Sequence, residues 1–155
     1  MSKRSRDLLR VGWREVVALP DLTGARIPAK IDTGARTSSL HATEIERFDR
    51  DGHRMLRFQL DIGDGRSEPV TVEVPRADQR VVTSSNGEAQ TRYIIKTSLR
   101  IGDTVFPAEF SLADRSDMKF PILVGRMALR SRFLVDSGRS YLQSSAEERK
   151  RILHT

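Results

Sequence analysis

Two runs of this chain place an apolar residue at every second position. Leu56, Phe58, Leu60 and Ile62 alternate with Arg57, Gln59 and Asp61, and the pattern returns as Phe106, Ala108, Phe110 and Leu112. A two-residue period turns successive side chains to opposite faces, so each run reads as a strand with one face in a core and the other in water. The punctuation agrees with strands joined by tight turns. Pro20-Asp21 ends a run over residues 13–19, and Leu22-Thr23-Gly24 precedes a run over 26–31. Asp51-Gly52 is a hairpin signal, and Gly102-Asp103 follows a run over 94–101. Helical character is confined to residues 127–132 and 145–153. In the second, Ser145 is placed to cap, Glu147 and Glu148 fill the first turn, and Arg149, Lys150 and Arg151 follow, an order that suits the helix dipole. The pattern predicts an all-β fold with one or two short helices.

A chain of 155 residues with 37% hydrophobic and 31% charged residues has the balance of one globular core. No repeat or boundary divides it, so a single domain over 1–155 is expected, with a basic N-terminal tail and a charged C-terminal helix or tail. There are no cysteines. Disulfides, thiol catalysis and cysteine-based zinc sites are excluded together, which agrees with a reducing cytoplasm. Residues 1–10 are basic, but no apolar segment follows and no stretch reaches membrane-spanning length, so a cytoplasmic protein with no membrane partner is expected. The net charge of +6 should attract polyanions. Aromatic residues make up 6% and none is interleaved in a basic run, so nucleic acid is not the expected partner.

One stretch carries chemistry. In Ile31-Asp32-Thr33-Gly34-Ala35 an apolar residue runs into a turn that combines a carboxylate, a hydroxyl and a glycine. Gly34 lets the backbone approach the Asp32 carboxylate closely enough to donate an N–H, and the Thr33 hydroxyl is expected to bond neighbouring backbone and brace the turn. Taken alone, the stretch is also what an ordinary strand and turn would contain. Near the other end, Phe120-Pro121-Ile122-Leu123-Val124-Gly125-Arg126 is a short apolar run ending in Gly-Arg before helix-compatible residues.

The two stretches, in this order, resemble the catalytic turn and the second hallmark of retropepsin-like aspartic peptidases. Further stretches narrow the resemblance: Gly12-Trp13-Arg14-Glu15, Ala29-Lys30 before Ile31, Arg36-Thr37-Ser38-Ser39-Leu40-His41-Ala42 after Ala35, Arg80-Val81-Val82-Thr83-Ser84-Ser85-Asn86-Gly87, Leu112-Ala113-Asp114-Arg115-Ser116 and Phe133-Leu134-Val135-Asp136. Over residues 11–142 the chain is similar to the bacterial and archaeal family labelled ATP-dependent zinc proteases, which is grouped with retropepsin-like peptidases. The resemblance implies an acid-protease barrel and an aspartic endopeptidase. Asp32, Thr33 and Gly34 would be the catalytic turn, and Ala35, Arg36 and Arg126 would meet substrate. A chain with one such Asp implies a homodimer, in which a two-fold axis brings Asp32 of both copies together. The arms at 80–83 and 91–95 can form a hairpin, and the resemblance makes its tip, Ser84, Ser85, Asn86 and Gly87, a flap over an extended peptide. Some members are encoded beside ATP-grasp ligases of the RimK type, which add glutamates to a ribosomal protein. That implies a peptide or protein substrate, acidic in character, for a basic chain.

The family label is not matched by the residues. Only His41, His53 and His154 are available, and the His-Glu-x-x-His helix of zinc proteases is absent. His41 with Asp32, Asp114 or Asp136 is the remaining metal arrangement, against a structural role for His41. There is no Gly-x-x-x-x-Gly-Lys-Ser/Thr loop for ATP, and no cofactor is expected. Arg36 stands where viral enzymes commonly carry an acidic residue. Two alternatives stay open: a catalytically silent peptide-binding or ribosome-associated module, separated by the effect of Asp32→Asn, and a metal-dependent hydrolase, separated by chelators.

Overall fold

The computed structural model describes residues 7–63, 67–83, 87–114 and 119–153. In chain order the strands are β1 Leu9–Gly12, β2 Arg14–Ala18, β3 Arg26–Ile31, β4 Ser38–Arg50, β5 His53–Leu60 and β6 Val70–Pro75. Then come β7 Asp78–Thr83, β8 Ala89–Ile101, β9 Thr104–Ala113, β10 Ile122–Val124, helix α1 Arg126–Leu129, β11 Phe133–Asp136 and helix α2 Ala146–Leu153. The alternating runs lie in β5 and β9, as their period requires, and the fold is all-β with two short helices.

Strand β10 closes the fold. It pairs parallel with β3 on one side and antiparallel with β4 on the other, while β3 continues through β2, β8 and β9 back to β4, making a barrel of six strands. Strands β5 and β6 extend outward from β4, β7 adds to β8, and β1 and β11 form a separate parallel pair. Inside, Ile27, Leu40, Ile95, Leu99, Phe110 and Ile122 are fully buried. The apolar faces of β5 and β6, including Phe58 and Val72, join the same core.

Strand β4 had no legible period, and the structure gives the reason. Its pairing with β5 shifts register between Thr43 and Glu46, where Glu44 has a φ of 51°. This bulge inserts an extra residue, bends the strand from the barrel towards β5, and reverses which residues face inward. Helix α1 is shorter than the predicted 127–132. Its chain leaves helical geometry at Arg130, and Ser131, with a φ of 65°, turns the backbone into β11. At α2 the capping is reciprocal: the Glu148 N–H donates to Ser145 Oγ and the Ser145 N–H to Glu148 Oε1, each at 3.1 Å. Glu148 also pairs with Arg26 at 3.1 Å, which ties the helix to β3.

Glu15 organises the end of the barrel from which β1 leaves. It is fully buried on β2 and accepts four bonds: from the Gly12 N–H at 2.7 Å, Leu142 N–H at 2.8 Å, Gln143 N–H at 3.0 Å and Ser144 Oγ at 2.7 Å. The Ser144 hydroxyl also accepts the Val16 N–H at 2.8 Å. One carboxylate therefore holds the start of the chain and the segment before α2 on the same strand. Gly12 belongs to this arrangement, since a Cβ there would meet the Arg139 oxygen at 2.4 Å. Glu15→Gln would turn one acceptor into a donor that faces two donors. It is expected to cost about 3 kcal/mol, read as a lower urea midpoint at unchanged slope. An unchanged midpoint would show that these segments do not depend on the carboxylate.

Candidate active site

The Asp32 turn begins where the parallel pairing of β3 with β10 ends. The last registered pair is Val124 with Ile31, and the next N–H, that of Asp32, donates to the Val124 oxygen at 2.8 Å. The turn closes through the Ala35 N–H on the Asp32 oxygen at 3.3 Å. The Gly34 N–H donates to Asp32 Oδ1 at 3.1 Å, the contact expected of that glycine. A Cβ on Gly34 would stand 3.3 Å from the same oxygen, so a larger residue would press on the carboxylate.

The residues after β10 lock onto this turn from the side. Arg126 and Met127 donate their N–H groups to the oxygens of Ala35 and Arg36 at 2.8 and 3.1 Å. The Arg126 guanidinium donates to the oxygens of Thr33 and Gly34 at 3.1 and 3.0 Å. Gly125 sits where the two segments cross: its N–H donates to Ser38 Oγ at 3.0 Å, and a Cβ there would lie 2.8 Å from the Thr37 carbonyl carbon and 2.9 Å from the Ala35 oxygen. Only a residue without a side chain permits that approach.

The structure places the predicted residues unevenly. Asp32 and Ala35 are half-buried, while Thr33, Gly34, Arg36 and Arg126 are exposed. The Thr33 hydroxyl makes no hydrogen bond among the described residues, so the expected brace comes from Arg126 instead, whose planar donors span two carbonyls that a single hydroxyl cannot. Arg36 borders two cavities. One, of about 510 Å3, also draws Thr37, Arg80, Lys96, Glu109 and Arg132. The other, of about 520 Å3, is bounded by Thr33, Arg126, Met127, Leu129, Phe133 and Val135. Among the described residues the two cavities contain one carboxylate, Glu109, which pairs with Arg80 at 3.4 Å. The first cavity is therefore strongly cationic. Arg80 also holds Asp78 at 2.9 Å; the Gln79 N–H and then Arg80 keep the Asp78 carboxyl below the usual carboxylate range.

The hairpin arms form as expected, with Arg80 opposite Arg92 and Thr83 opposite Ala89. Of its tip, Ser84, Ser85 and Asn86 lie outside the described residues, and Gly87 has a φ of 85°, which glycine adopts without strain. His41 is within 3.3 Å of the Ala113 oxygen through Nδ1, Asp114 is exposed, and Asp136 accepts the Gly138 N–H at 3.1 Å where β11 ends. Among the described residues no three His, Cys, Asp or Glu side chains are grouped to hold a metal ion. Two residues carried no assigned role: Ser38, buried in the site and bonded to Gly125, and Glu15, outside the site at the end of the barrel. A carboxylate directly before Val16-Val17-Ala18 was the available signal for Glu15; Ser38, beside Ser39 and near His41 in a polar stretch, had none.

Comparison with known proteins agrees with this fold. A Legionella pneumophila protein of unknown function superposes with a TM-score of 0.73 at 25% identity, covering 86% of this chain and 96% of that one. Probable α-L-glutamate ligases from Desulfotalea psychrophila and Parasynechococcus marenigrum are 35% and 39% identical over 127 residues, 81% of this chain and 27% of each relative. The corresponding protein of Shewanella pealeana is 36% identical over 132 residues, 84% of this chain and 29% of the relative. The chain thus spans under a third of the length of the curated relatives it matches. The model of the RimB-like family, described as retropepsin-like aspartic endopeptidase RimB, matches residues 10–146, and the chain belongs to that family.

Proposed function

We propose that this chain is an aspartic endopeptidase whose catalytic dyad is Asp32 from two copies. The observation that carries the reading is the Asp32 turn, a half-buried carboxylate held by the Gly34 N–H at 3.1 Å on a turn clamped by Arg126. Such a turn presents one carboxylate, and the chemistry takes two. Two like carboxylates at hydrogen-bond distance cannot both ionise, so they share a proton. The ionised one takes a proton from water as the water oxygen attacks the scissile carbonyl carbon, and the protonated one gives its proton to the carbonyl oxygen. Collapse of the tetrahedral intermediate returns that oxygen to a carbonyl, breaks the C–N bond and delivers a proton to the leaving amine. A two-fold axis supplies the second Asp32 without a second motif. The exposed Thr33 and the apolar Met127, 51% exposed beside the turn, suit a face that a second copy covers.

Arg36, Lys96 and Arg132 around the first cavity support an acidic peptide as substrate. The relatives named for glutamate ligation favour the same chemistry, because a hydrolase acting on glutamate-rich chains would reverse what such a ligase builds. The same relatives carry the second reading, a peptide-binding module that presents such chains without cutting them.

Asp32→Asn is expected to reduce kcat at least about 1000-fold with the thermal midpoint kept, because an amide cannot exchange the proton. Function unaffected by this substitution would select the binding module. Sedimentation is expected to show a dimer at working concentration. Monomer with full activity, first order in enzyme, would rule out the shared dyad. Acidic peptides are expected to be cleaved with a higher kcat/KM than neutral ones of equal length. Salt should erode that advantage as the screening length falls to about 10 Å near 0.1 M. Equal cleavage at low salt would place the basic charge outside the substrate path.

A further inference from the structure

The outer part of the β4–β5 hairpin treats its two faces differently. On one, Arg50 pairs with Glu73 at 2.8 Å and Arg57 with Glu46 at 3.4 Å. On the other, Arg47 and Asp49 of β4 stand opposite Leu56 and Arg54 of β5, and the Arg76 N–H donates to the Arg54 oxygen at 3.0 Å. Arg47, Asp49, Arg54 and Arg76 line a cavity of about 470 Å3 with Phe48, Met55 and Gln79. Among the described residues neither Arg47 nor Arg54 has a carboxylate within ion-pairing distance, and the Arg76 guanidinium rests on the neutral Gln79 Oε1 at 3.0 Å. Three guanidinium groups thus share a concave surface with one carboxylate. Like charges gathered in a recess repel one another and raise the local potential, and an anion in the recess relieves both.

We propose that this cavity is an exosite for an acidic stretch of polypeptide, bound away from the scissile bond. Arginine's planar donors match carboxylates two at a time. Nucleic acid fits less well, because among the described residues no aromatic ring is free in the recess for a base to stack on: Phe48, the one aromatic residue at it, has its ring on the other face of the hairpin, against the guanidinium groups of Arg57 and Arg50 at 4.8 and 5.2 Å from its centroid. Strand β7 links the recess to the cavity that Arg36 borders. Gln79 lines the recess, and the next residue, Arg80, lines the cationic cavity that Arg36 borders, so the two cavities lie on opposite faces of one strand. Among the described residues strand β7 pairs only with β8, so an extended chain could pass along its other edge from one cavity to the other. Binding at the recess stands by itself; its role as an exosite rests on the peptidase reading.

The test separates the two. Asp32→Asn protein is titrated, at about 50 mM salt where screening is weak, into a fluorescein-labelled peptide of alternating Glu and Gly, with and without Arg47→Ala/Arg54→Ala. Both arginines are exposed, and a preserved thermal midpoint, or the milder Arg47→Gln/Arg54→Gln pair, guards against misfolding. The expected result is a Kd raised about fivefold by the double substitution, from two lost charge contacts. A neutral peptide of equal length should show no change. A Kd shift under about twofold overturns the proposal. So does a labelled single-stranded oligonucleotide whose binding falls with the substitutions while that of the acidic peptide does not. In protein with Asp32 intact, the substitutions should lower kcat/KM about fivefold for a cleavable peptide with an acidic tail, and leave the untailed peptide unchanged. If neither peptide is cut, the peptidase reading fails, and the binding comparison still decides the recess.

Discussion

Three residues hold the rest of this structure in place. Ile122, Leu123 and Val124 fill the gap between β3 and β4, and their pairing on both sides turns an open sheet into a closed barrel. Closure leaves no free edge between these strands, and the interior fills with Leu40, Phe110 and Ile122. The same short strand sets the position of the site. Its last carbonyl, at Val124, receives the Asp32 N–H, and the next residue, Gly125, is pressed against the backbone of Ala35 and Thr37. A shift of β10 by one residue would put a side chain into that crossing and move the carboxylate.

The site's order comes from backbone and one guanidinium rather than from a buried polar network. Gly34 aims an N–H at Asp32, Arg126 spans two carbonyls of the turn, and Ser38 satisfies the buried N–H of Gly125. This arrangement fixes a carboxylate while leaving Thr33 and Met127 outward. Rigidity with exposure suits the proposed two-chain site, in which each half must be held before the other arrives. The positive charge has a similar division. On the outer face of the β4–β5 hairpin it is neutralised by Glu46 and Glu73, and in the two arginine-lined recesses the cations outnumber the single carboxylates, Glu109 in one and Asp49 in the other.

Particular residues mark how far the sequence could be read. The strands β5 and β9 and the cap at Ser145 were legible because they are local: a period of two, or a hydroxyl three residues before a carboxylate, is written in adjacent positions. The contact of Gly34 with Asp32 was legible for the same reason. Strand β4 was not, because the bulge at Glu44 interrupts its period, and α1 was overextended because Ser131 turns the chain where no glycine or proline announces it. Thr33 was given a brace that Arg126 supplies from 92 residues or more away in sequence.

The amino-acid sequence by itself determined an all-β chain, the turn that carries Asp32 and the family to which the chain belongs, since each rests on neighbouring residues or on motifs in a given order. Tertiary structure alone decided which strands meet. The parallel pairings of β10 with β3 and β4 with β9 join residues far apart in the chain, and no local pattern encodes them. It also decided that Glu15, an acidic residue in an apolar strand, is a buried junction for four donors, three of them from the far end of the chain. The physical reason is the same in each case: burial and hydrogen bonding are properties of the space a residue occupies, and that space is made by segments the sequence keeps apart.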